Sequence, residues 1–199
     1  MSMKHAPATE RNREPIRQIL ESELSAEGGL LLEIAAGTGE HAVFLSQAFP
    51  KWRWQPTDPD PEALASISAW REERGGPNLL DPRQLDASSA DWPFEGVDAM
   101  LCVNMTHISP PAASVGLFAA AGRLLQNGAP LLIYGPFLEA DVKTTQSNLD
   151  FDASLKSRNP EWGLRDLAWI DGLAEKNGLK RTARHQMPAN NLTLVYRKT

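Results

Sequence analysis

The sequence lacks several features that would place it in a specialised class. Its single cysteine, Cys102, excludes an internal disulfide, and because it stands in an apolar run we interpret it as a small core side chain. No apolar run approaches the ~20 residues that span a bilayer, and the N-terminal stretch lacks the apolar centre of a signal peptide. The net charge of −5 gives no support for binding to nucleic acid. We therefore expect a cytoplasmic protein whose partners include neither a membrane nor a nucleic acid.

The chain also lacks histidines at the spacing that is typical of metal ligands. The four histidines, His5, His41, His107 and His185, do not cluster as metal ligands do. We predict no metal site, which disfavours a metal-dependent mechanism.

The length and the apolar periodicity predict one domain over residues 1–199 with an α/β fold. Helical spacing covers residues 14–24, 40–48, 62–74, 112–125 and 164–176. Strand-like runs cover residues 30–35, 52–55, 79–85, 97–103, 130–134, 180–187 and 192–197. Strands that alternate with helices predict a parallel sheet, whereas the short connection between the last two strands predicts an antiparallel hairpin at one edge.

Two segments stand outside this alternation. Residues 1–28 are expected to form an N-terminal arm and a helix. Residues 139–160 show no strong pattern, and long irregular insertions in compact domains often serve as lids or binding loops. We therefore expect residues 139–163 to be a substrate lid or an insertion.

A glycine-containing turn directly follows the first predicted strand. Gly37 and Gly39, with Ala42 three residues further on, form a G-x-G-x-x-A pattern. Glycine permits a sharp turn and lets backbone N–H groups approach a ligand that a Cβ would block. The helix predicted at residues 40–48 would direct its free N–H groups at the same ligand. The pattern favours a nucleotide-like cofactor. Because a glycine pattern of this kind is weak evidence by itself, the neighbouring residues have to support the assignment.

Polar residues follow the predicted strands at the edge where open parallel sheets bind ligands. Asp58 lies 19 residues after Gly39, close to the offset at which an acid meets a ribose hydroxyl. Asp86 follows the third strand and is suited to accept from an adenine amino group, and Asn104 follows the fourth. Each of the three could instead cap a turn, since Asp and Asn commonly begin turns.

Glu33 is a carboxylate inside the apolar first strand, where an unpaired charge is costly. Its partner could be an amino group of a cofactor, the glycine turn, or a structural group such as an N-terminal arginine. Trp52 and Trp54 share one face of the second strand, and we interpret them as core packing.

Together these residues resemble the class I S-adenosylmethionine-dependent methyltransferases. Glu33 four residues before Gly37, the acids after the second and third strands, and the terminal strand pair fit that pattern together. The resemblance implies a doubly wound, Rossmann-like seven-stranded sheet, mostly parallel with a C-terminal antiparallel strand pair. It also implies S-adenosyl-L-methionine as cofactor, with the methionine part at the glycine turn, the ribose at Asp58 and the adenine at Asp86.

A closer resemblance is to the DUF938, or methyltransferase-like 26, subfamily, whose substrate is not established. The phrases that carry it are ATERNREPI, LEIAAGTGEHA, QPTDPD, VNMTHISP, LLIYGPF, SNLDFDASLKSRNPEWGLRD and MPANNLTLVYRK. After the fourth strand the chain reads Asn104-Met105-Thr106-His107, which differs from the Asn/Asp-Pro-Pro-Tyr motif of many amino-group methylases of DNA and protein. This difference disfavours those substrates, and the carboxylate-rich surface together with the expected lid favours a small-molecule acceptor.

The resemblance and the strand-end pattern define the expected site residues. The cofactor contacts are Arg11, Asn12, Glu33, Ala35, Gly37, Thr38, Gly39, His41, Asp58, Asp86, Ala87 and Asn104. The acceptor contacts are His107, Phe137, Asn148, Phe151, Arg158, Trp162 and Arg165. The alternative for the segment from Asn148 onwards is a surface insertion held by its own salt bridges, and the alternative for the residues around Arg11 is a solvated charged arm.

Two residues are candidates for catalysis. His107 lies three residues beyond the fourth strand and has an ordinary pKa near neutrality, which suits a general base. Tyr134 ends the fifth strand. The alternatives are a histidine that caps the loop or shapes the substrate site, and a tyrosine that only packs.

Two other functions fit part of the pattern. A small nicotinamide-dependent oxidoreductase would also use the glycine turn and Asp58, but the chain has no Tyr-x-x-x-Lys pair and little room for a second catalytic half. A non-catalytic module that binds S-adenosylmethionine and acts through a partner is the other. The oligomeric state cannot be read from the sequence.

Overall fold

The computed structural model describes residues 3–199, which fold around a seven-stranded sheet with helices on both faces. The strands in chain order are β1 (Gly29–Ile34), β2 (Trp52–Asp58), β3 (Arg83–Gln84), β4 (Ala99–Val103), β5 (Pro130–Gly135), β6 (Phe137–Leu138), β7 (Arg165–Asp166), β8 (Leu179–Met187) and β9 (Asn191–Lys198). The helices are α1 (Pro7–Glu23), α2 (Glu40–Ala48), α3 (Pro61–Arg74), α4 (Pro111–Leu124), α5 (Gln146–Arg158) and α6 (Leu167–Lys176).

The strand order is β3-β2-β1-β4-β5-β9-β8. Strands β1 to β5 pair in parallel, whereas β9 runs antiparallel to both β5 and β8. This arrangement confirms the predicted Rossmann-like sheet and its antiparallel C-terminal hairpin at one edge. The chain first moves outward from β1 to β3 and then crosses back to β4, so the order reverses between β1 and β4. Ligands bind at such a switch point, outside the carboxyl ends of the strands.

The core lies in two layers because alternate residues of a strand point to opposite faces. Leu32 and Ile34 of β1 pack in a cluster with Phe118 of α4 and Ile170 of α6. Leu31, the residue before Leu32, belongs to the opposite cluster, which contains side chains from α1, α2 and α3. Burial on both faces explains why β1 and β4 appear in the sequence as nearly continuous apolar runs.

Two predicted elements were wrong in their extent. The third strand, predicted at residues 79–85, is reduced to Arg83–Gln84 and an isolated bridge between Trp54 and Leu79. Pro82 lies inside the predicted run, and proline has no N–H to donate to a sheet. The first helix begins at Pro7 rather than at residue 14, so Pro15 lies in the helix interior instead of its first turn.

The segment predicted to be irregular contains a regular helix, α5. Of its 13 residues, Leu155 alone is buried, so the sequence carries no apolar stripe that would indicate a helix. The two short strands that flank the insertion, β6 and β7, pair in parallel and close its base. The whole insertion therefore leaves the main sheet after β5 and returns just before α6.

No helix among residues 3–199 has the length and apolar content that a bilayer crossing requires.

Gly39→Ala is expected to destabilise the protein. Gly39 has φ +91°, and a Cβ there would lie 2.8 Å from Ile67 Cα in α3, so both the backbone and the helix packing oppose a side chain. We expect a loss of about 1–3 kcal/mol in the free energy of unfolding, measured by urea denaturation. Gly172→Ala in α6 is the matched control, because a Cβ there meets no atom within 4 Å and alanine favours a helix. Equal denaturation midpoints for the two variants would contradict this account.

Candidate functional site at the carboxyl edge of the sheet

Hydrogen bonds join the end of β1 to the end of β2. Thr57 Oγ1 donates to the Glu33 carbonyl at 2.8 Å, and the Ala36 N–H donates to the Thr57 carbonyl at 2.8 Å. Asp58 completes the set, because its Oδ2 accepts from the Gly37 N–H at 2.9 Å. The glycine turn is thereby fixed against the strand that carries the predicted ribose acid.

The Asp58 carboxylate is buried at the point where the turn begins. Burial raises the pKa of Asp58, and the amide N–H groups of Asp60 and Gly37 lower it in opposition. Two N–H bonds occupy only part of the acceptor capacity of a carboxylate, which has about four lone-pair sites. Asp58 therefore holds the turn and retains the capacity to accept from a ligand.

The turn itself leaves room for a ligand. Gly37 has φ +59°, and a Cβ placed on it would meet no protein atom within 4 Å. The left-handed φ by itself favours glycine, and the open space over it leaves the backbone accessible to a ligand. Ala35 has φ 55° and Asn104 φ 59°, so the ends of β1 and β4 both carry non-glycine residues in the left-handed region. Such strained backbone is characteristic of ligand sites.

Glu33 has a structural partner, and it is an indole. Trp54 Nε1 donates to Glu33 Oε2 at 2.6 Å, and both side chains are buried. Burial raises the pKa of Glu33 to about 7, the Trp54 hydrogen bond lowers it in opposition, and the charge of Asp58 adds to the rise. Trp54 is thus a core residue, as the sequence predicted, and it also supplies the partner that Glu33 needs.

Residues near the N-terminus reach the same edge of the sheet. The Lys4 N–H donates to Ser66 Oγ of α3, and the Ala6 N–H donates to Glu40 Oε2 of α2. Further along α1, Asn12 Oδ1 lies 2.7 Å from His41 Nε2 inside the protein. Burial lowers the pKa of His41 to about 4, so its ring is neutral near pH 7.

A cavity of about 640 Å³ opens beside β5, and we name it the Tyr134 cavity. Its size is typical of small-molecule sites. Its walls come from α1, the loop after β4, α5 and the connection between β8 and β9. The lining residues are Ala8, Arg11, Asn12, Asn104, His107, Ile108, Tyr134, Pro136, Ser147, Asn148, Phe151, Arg158, Pro188, Ala189, Asn190 and Asn191.

His107 is the buried titratable group of the Tyr134 cavity. Among residues 3–199 its Nδ1 atom has no hydrogen-bond partner, which is costly for a buried polar atom. Burial lowers the pKa of His107 to about 4, and the positive charge of Arg165 adds to the effect. Its ring meets Phe151 edge to face, with 5.6 Å between the centroids. Burial also raises the pKa of Tyr134, so that hydroxyl is protonated near neutral pH.

A second cavity of about 410 Å³ lies beyond the ends of β1 and β3, and we name it the Asp86 cavity. It shares Ile108 with the Tyr134 cavity. The lining residues are Ile34, Ala35, Pro59, Leu85, Asp86, Ala87, Ser88, Met105, Ile108, Ser109, Pro110, Ala113, Asn159 and Trp162. Its walls are largely apolar, and Asp86 accepts from the Ser88 N–H at 2.8 Å.

The comparison with protein families decides the classification. The family model described as "Protein of unknown function (DUF938)" matches residues 3–198. This chain belongs to the DUF938 family. The match covers both cavities and all elements of the sheet, so the family includes the whole candidate site.

Solved structures with the same fold are methyltransferases. An O-methyltransferase family 2 protein from Planctomyces limnophilus, in complex with apigenin, is 26% identical with a TM-score of 0.75, over 88% of this chain and 51% of that one. An O-methyltransferase family protein from Burkholderia thailandensis is 17% identical with a TM-score of 0.81, over 96% and 57%. The S-adenosylmethionine-dependent methyltransferase SibL is 18% identical with a TM-score of 0.75, over 96% and 55%. This DUF938 chain therefore spans little more than half the length of these proteins.

The structure brings most predicted site residues to the two cavities or to the glycine turn. Arg11, Asn12, Asn104, His107, Tyr134, Asn148, Phe151 and Arg158 line the Tyr134 cavity, and Ala35, Asp86, Ala87 and Trp162 line the Asp86 cavity. Trp162 was expected at the acceptor and lies instead beside Asp86. Thr38 belongs to the turn, where its hydroxyl donates to Glu40. The roles of all these residues stay predictions.

Eight predicted residues line neither cavity. Five of them lie on β1, at the glycine turn or at the end of β2, namely Glu33, Gly37, Thr38, Gly39 and Asp58. The other three are Phe137, Arg165 and His41. Phe137 is buried in the core cluster beneath α4 and α6. The guanidinium of Arg165 donates to the carbonyls of Thr106, Ser109 and Glu161, so it fastens the loop after β4 to the insertion. His41 contacts Asn12, which lines the Tyr134 cavity, but does not line the cavity itself. Within residues 3–199 no group of three or more His, Cys, Asp or Glu side chains is arranged to hold a metal.

Sequence reasoning missed the connection between β8 and β9, which forms part of the Tyr134 cavity. It was interpreted only as a hairpin link. Ala189 (φ 56°) and Asn190 (φ 58°) are consecutive left-handed residues there, and Asn190 accepts through its carbonyl from Asn148 of α5. The Pro-Ala-Asn-Asn sequence was the available signal, because asparagine tolerates the left-handed region.

Glu33→Gln is expected to change the dependence of stability on pH. The folded protein holds the Glu33 proton with a pKa of about 7, whereas the ordinary value is 4.5. The contribution of Glu33 to stability is therefore complete below pH 4.5 and is lost as the pH rises to about 7. A shift of this size corresponds to about 3 kcal/mol. Glutamine has no proton to lose, so the free energy of unfolding of the wild-type protein, relative to Glu33→Gln, is expected to fall over this interval.

Urea denaturation of both proteins across this pH interval measures the difference. His41 and His107 act in the opposite direction, because their folded pKa values are lowered and their stability is lost as the pH falls. Both proteins share these histidines, so the subtraction removes their effect. A difference that stays constant from pH 4.5 to about 7 would contradict the account of Glu33.

Proposed function

We propose that this DUF938 chain is an S-adenosylmethionine-dependent methyltransferase that acts on a small-molecule acceptor. The observation that carries the proposal is the pair of cavities that share Ile108 on the carboxyl side of the sheet, with open space over Gly37 between the ends of β1 and β2. A cofactor site and an acceptor site must adjoin for a group to pass between them. The methyltransferase fold of the similar structures supports the same reading.

The residues at this edge fit the cofactor in chemistry. The space over Gly37 admits a ligand against the backbone, and Asp58 has acceptor capacity left for ribose hydroxyls. The apolar walls of the Asp86 cavity suit the faces of a purine, with the Asp86 carboxylate available as an acceptor for its amino group. Arg11 and Asn12, which the sequence placed with the cofactor, line the Tyr134 cavity instead of the Asp86 cavity.

S-adenosylmethionine supplies a sulfonium methyl group that an acceptor atom takes by in-line displacement. The chain's part is to hold the acceptor in line with that methyl group and to keep water away, and such orientation is worth several kcal/mol. The walls from α1 and α5 enclose the Tyr134 cavity for this purpose. We propose that α5 and its flanking loops act as the lid over the acceptor.

His107 and Tyr134 are the groups placed to handle a proton of the acceptor. The Nδ1 atom of His107 is buried and unpartnered among residues 3–199, so once a ring movement exposes it to the cavity it would accept that proton or bind an acceptor hydroxyl. Its pKa of about 4 describes the protein without ligand, and an anion bound in the cavity would raise it. Because the Tyr134 hydroxyl is protonated, it serves as a donor that orients the acceptor.

The alternative functions are not favoured. A nicotinamide-dependent oxidoreductase would share the glycine turn and Asp58, but the similar structures are methyltransferases. A module that binds the cofactor without catalysis would not require a second cavity of about 640 Å³ beside the cofactor site.

S-adenosylmethionine is expected to bind the purified protein with micromolar affinity, and NAD is not. Asp58→Asn should weaken the affinity for S-adenosylmethionine about tenfold or more, because hydrogen bonds to a charged group each contribute roughly 1.5–3 kcal/mol. Calorimetric titration measures both. Asp81→Asn is the matched control, since Asp81 is exposed and pairs with Arg71 away from both cavities.

Binding of NAD in place of S-adenosylmethionine would overturn the proposed function in favour of an oxidoreductase. Equal affinities of Asp58→Asn and Asp81→Asn for S-adenosylmethionine would remove Asp58 from the cofactor site.

His107→Ala is expected to depress turnover while sparing the affinity for S-adenosylmethionine. A general base contributes roughly 10²–10⁴-fold to rate. Formation of S-adenosylhomocysteine, measured with an acceptor found in a small-molecule panel, gives the turnover. His185→Ala in β8 is the control, because that histidine lies near Glu23 and away from the cavity. Equal losses of turnover and of cofactor affinity would contradict a role for His107 at the acceptor.

A further inference from the structure

The Tyr134 cavity has a charge that contrasts with that of the whole chain. The protein carries a net charge of −5, yet the cavity wall contains Arg11 and Arg158 and, among the described residues, no aspartate or glutamate. His107 is neutral near pH 7, so it adds no charge to the cavity wall. The lining is therefore a local positive region in an acidic protein.

In the described part of the chain, six of the thirteen arginines pair with a carboxylate, and Arg11 and Arg158 are among the seven that do not. Arg17, Arg71, Arg74, Arg181, Arg184 and Arg197 each form an ion pair with a carboxylate. Among residues 3–199, Arg11 and Arg158 form none. Arg158 instead lies over the ring of Trp162, with its Cζ atom 5.7 Å from the ring centroid, and its Nε donates weakly to the Ser154 carbonyl at 3.4 Å.

Of the two carboxylates nearest in the chain to Arg158, Glu161 forms no ion pair with it among residues 3–199, and Asp152 is engaged elsewhere. Asp152 Oδ1 accepts from the Leu164 N–H, and its Oδ2 pairs with Lys156. Arg165 adds a further positive charge close to the cavity, since it lowers the pKa of His107 while its own donors bind backbone carbonyls. An anion entering the cavity would therefore meet two free guanidinium groups and a favourable field.

The remaining walls suit the rest of such a ligand. Asn104, in the loop after β4, adds a side-chain amide to the wall, whereas the amides of Asn148, Asn190 and Asn191 already donate within the protein. Phe151 and Ile108 remain 38% and 43% exposed, and Phe151 stands against His107, so apolar surface is available for a carbon skeleton.

We propose that the methyl acceptor is a small molecule bearing a carboxylate or a phosphate, which Arg11 and Arg158 bind from the α1 and α5 walls of the Tyr134 cavity. This inference rests on the proposed function, because it identifies the chemical class of the acceptor. The oxyanion fixes one end of the molecule and leaves the other end to face the Asp86 cavity on the side of Ile108, which both cavities share. Guanidinium groups suit this task because their planar donors match both carboxylate and phosphate oxygens.

The test uses matched probes on the full chain. 4-Hydroxybenzoate, its neutral amide 4-hydroxybenzamide, and phenyl phosphate are titrated calorimetrically, with and without S-adenosylhomocysteine. We expect at least one anion to bind about tenfold or more tightly than the amide, and this preference to weaken as salt is added. The better anion identifies which oxyanion the cavity prefers.

Variants assign the preference to the two arginines. Arg158→Gln and Arg11→Gln are each expected to reduce anion affinity about tenfold, and Arg158→Lys to retain part of it. Arg53→Gln is the matched control, because Arg53 is an exposed arginine of β2 that lines neither cavity. Thermal melting of each variant shows whether a loss reflects misfolding.

Equal affinities for the anions and the amide would overturn the inference, as would anion binding that neither arginine variant changes. Loss of S-adenosylhomocysteine binding in Arg11→Gln, with anion affinity unchanged, would assign Arg11 to the cofactor and also overturn the inference. The proposed function is tested separately, since failure of S-adenosylhomocysteine to bind the wild-type protein contradicts it whatever the anions do.

Discussion

The hydrogen-bonded connection between the ends of β1 and β2 is the constraint on which the candidate site depends. Thr57 and Asp58 hold the backbone of the glycine turn from one side, and the close packing of Gly39 against Ile67 holds it from the other. The turn therefore presents its N–H groups at a fixed place above the sheet, and α2 begins in a fixed direction. A site built on such rigid elements is positioned before its ligand arrives, which lowers the cost of binding.

Electrostatics divides this edge of the sheet into two environments. Around β1 and β2 the buried groups are acids, and burial raises the pKa values of both Glu33 and Asp58. Beyond β4 and β5 the ionised groups at the cavity are arginines, and the histidine among them is neutral. A sulfonium cofactor and an anionic acceptor have opposite preferences, so the two environments complement the two ligands that we propose.

The sequence predicted the parts of this structure that leave a local pattern. The apolar runs of β1 and β4 follow from burial on both faces of the sheet. The glycine turn and the polar residues after the strands follow from turn chemistry, and the structure has them at the carboxyl edge of the sheet. Helix α5 left no pattern, because a helix with a single buried residue has no stripe. The extent of α1 was misjudged because packing against α2 overrides the preference of Pro15 for a first turn.

The failures within the site have a common physical origin. Arg165 was expected at a substrate, but its donors are consumed by three carbonyls, and Glu33 was expected near a cofactor or an arginine, but its partner is Trp54. Apart from Glu161, these partners are distant in sequence, and the residue type alone does not indicate which partner the fold will bring. The β8–β9 connection failed for the same reason, since only the finished sheet places it opposite α5.

The stacking of Arg158 on Trp162 has a consequence for the order of events at the site. Arg158 belongs to one cavity and Trp162 to the other, so the two cavities have a movable pair of side chains in common. A ligand that draws Arg158 away from the ring alters the surface that Trp162 offers to the second ligand. Any such coupling is reciprocal, because thermodynamic linkage requires each ligand to change the affinity of the other by the same factor. Coupling of this kind would act at the C-terminal end of α5, where Arg158 lies over Trp162.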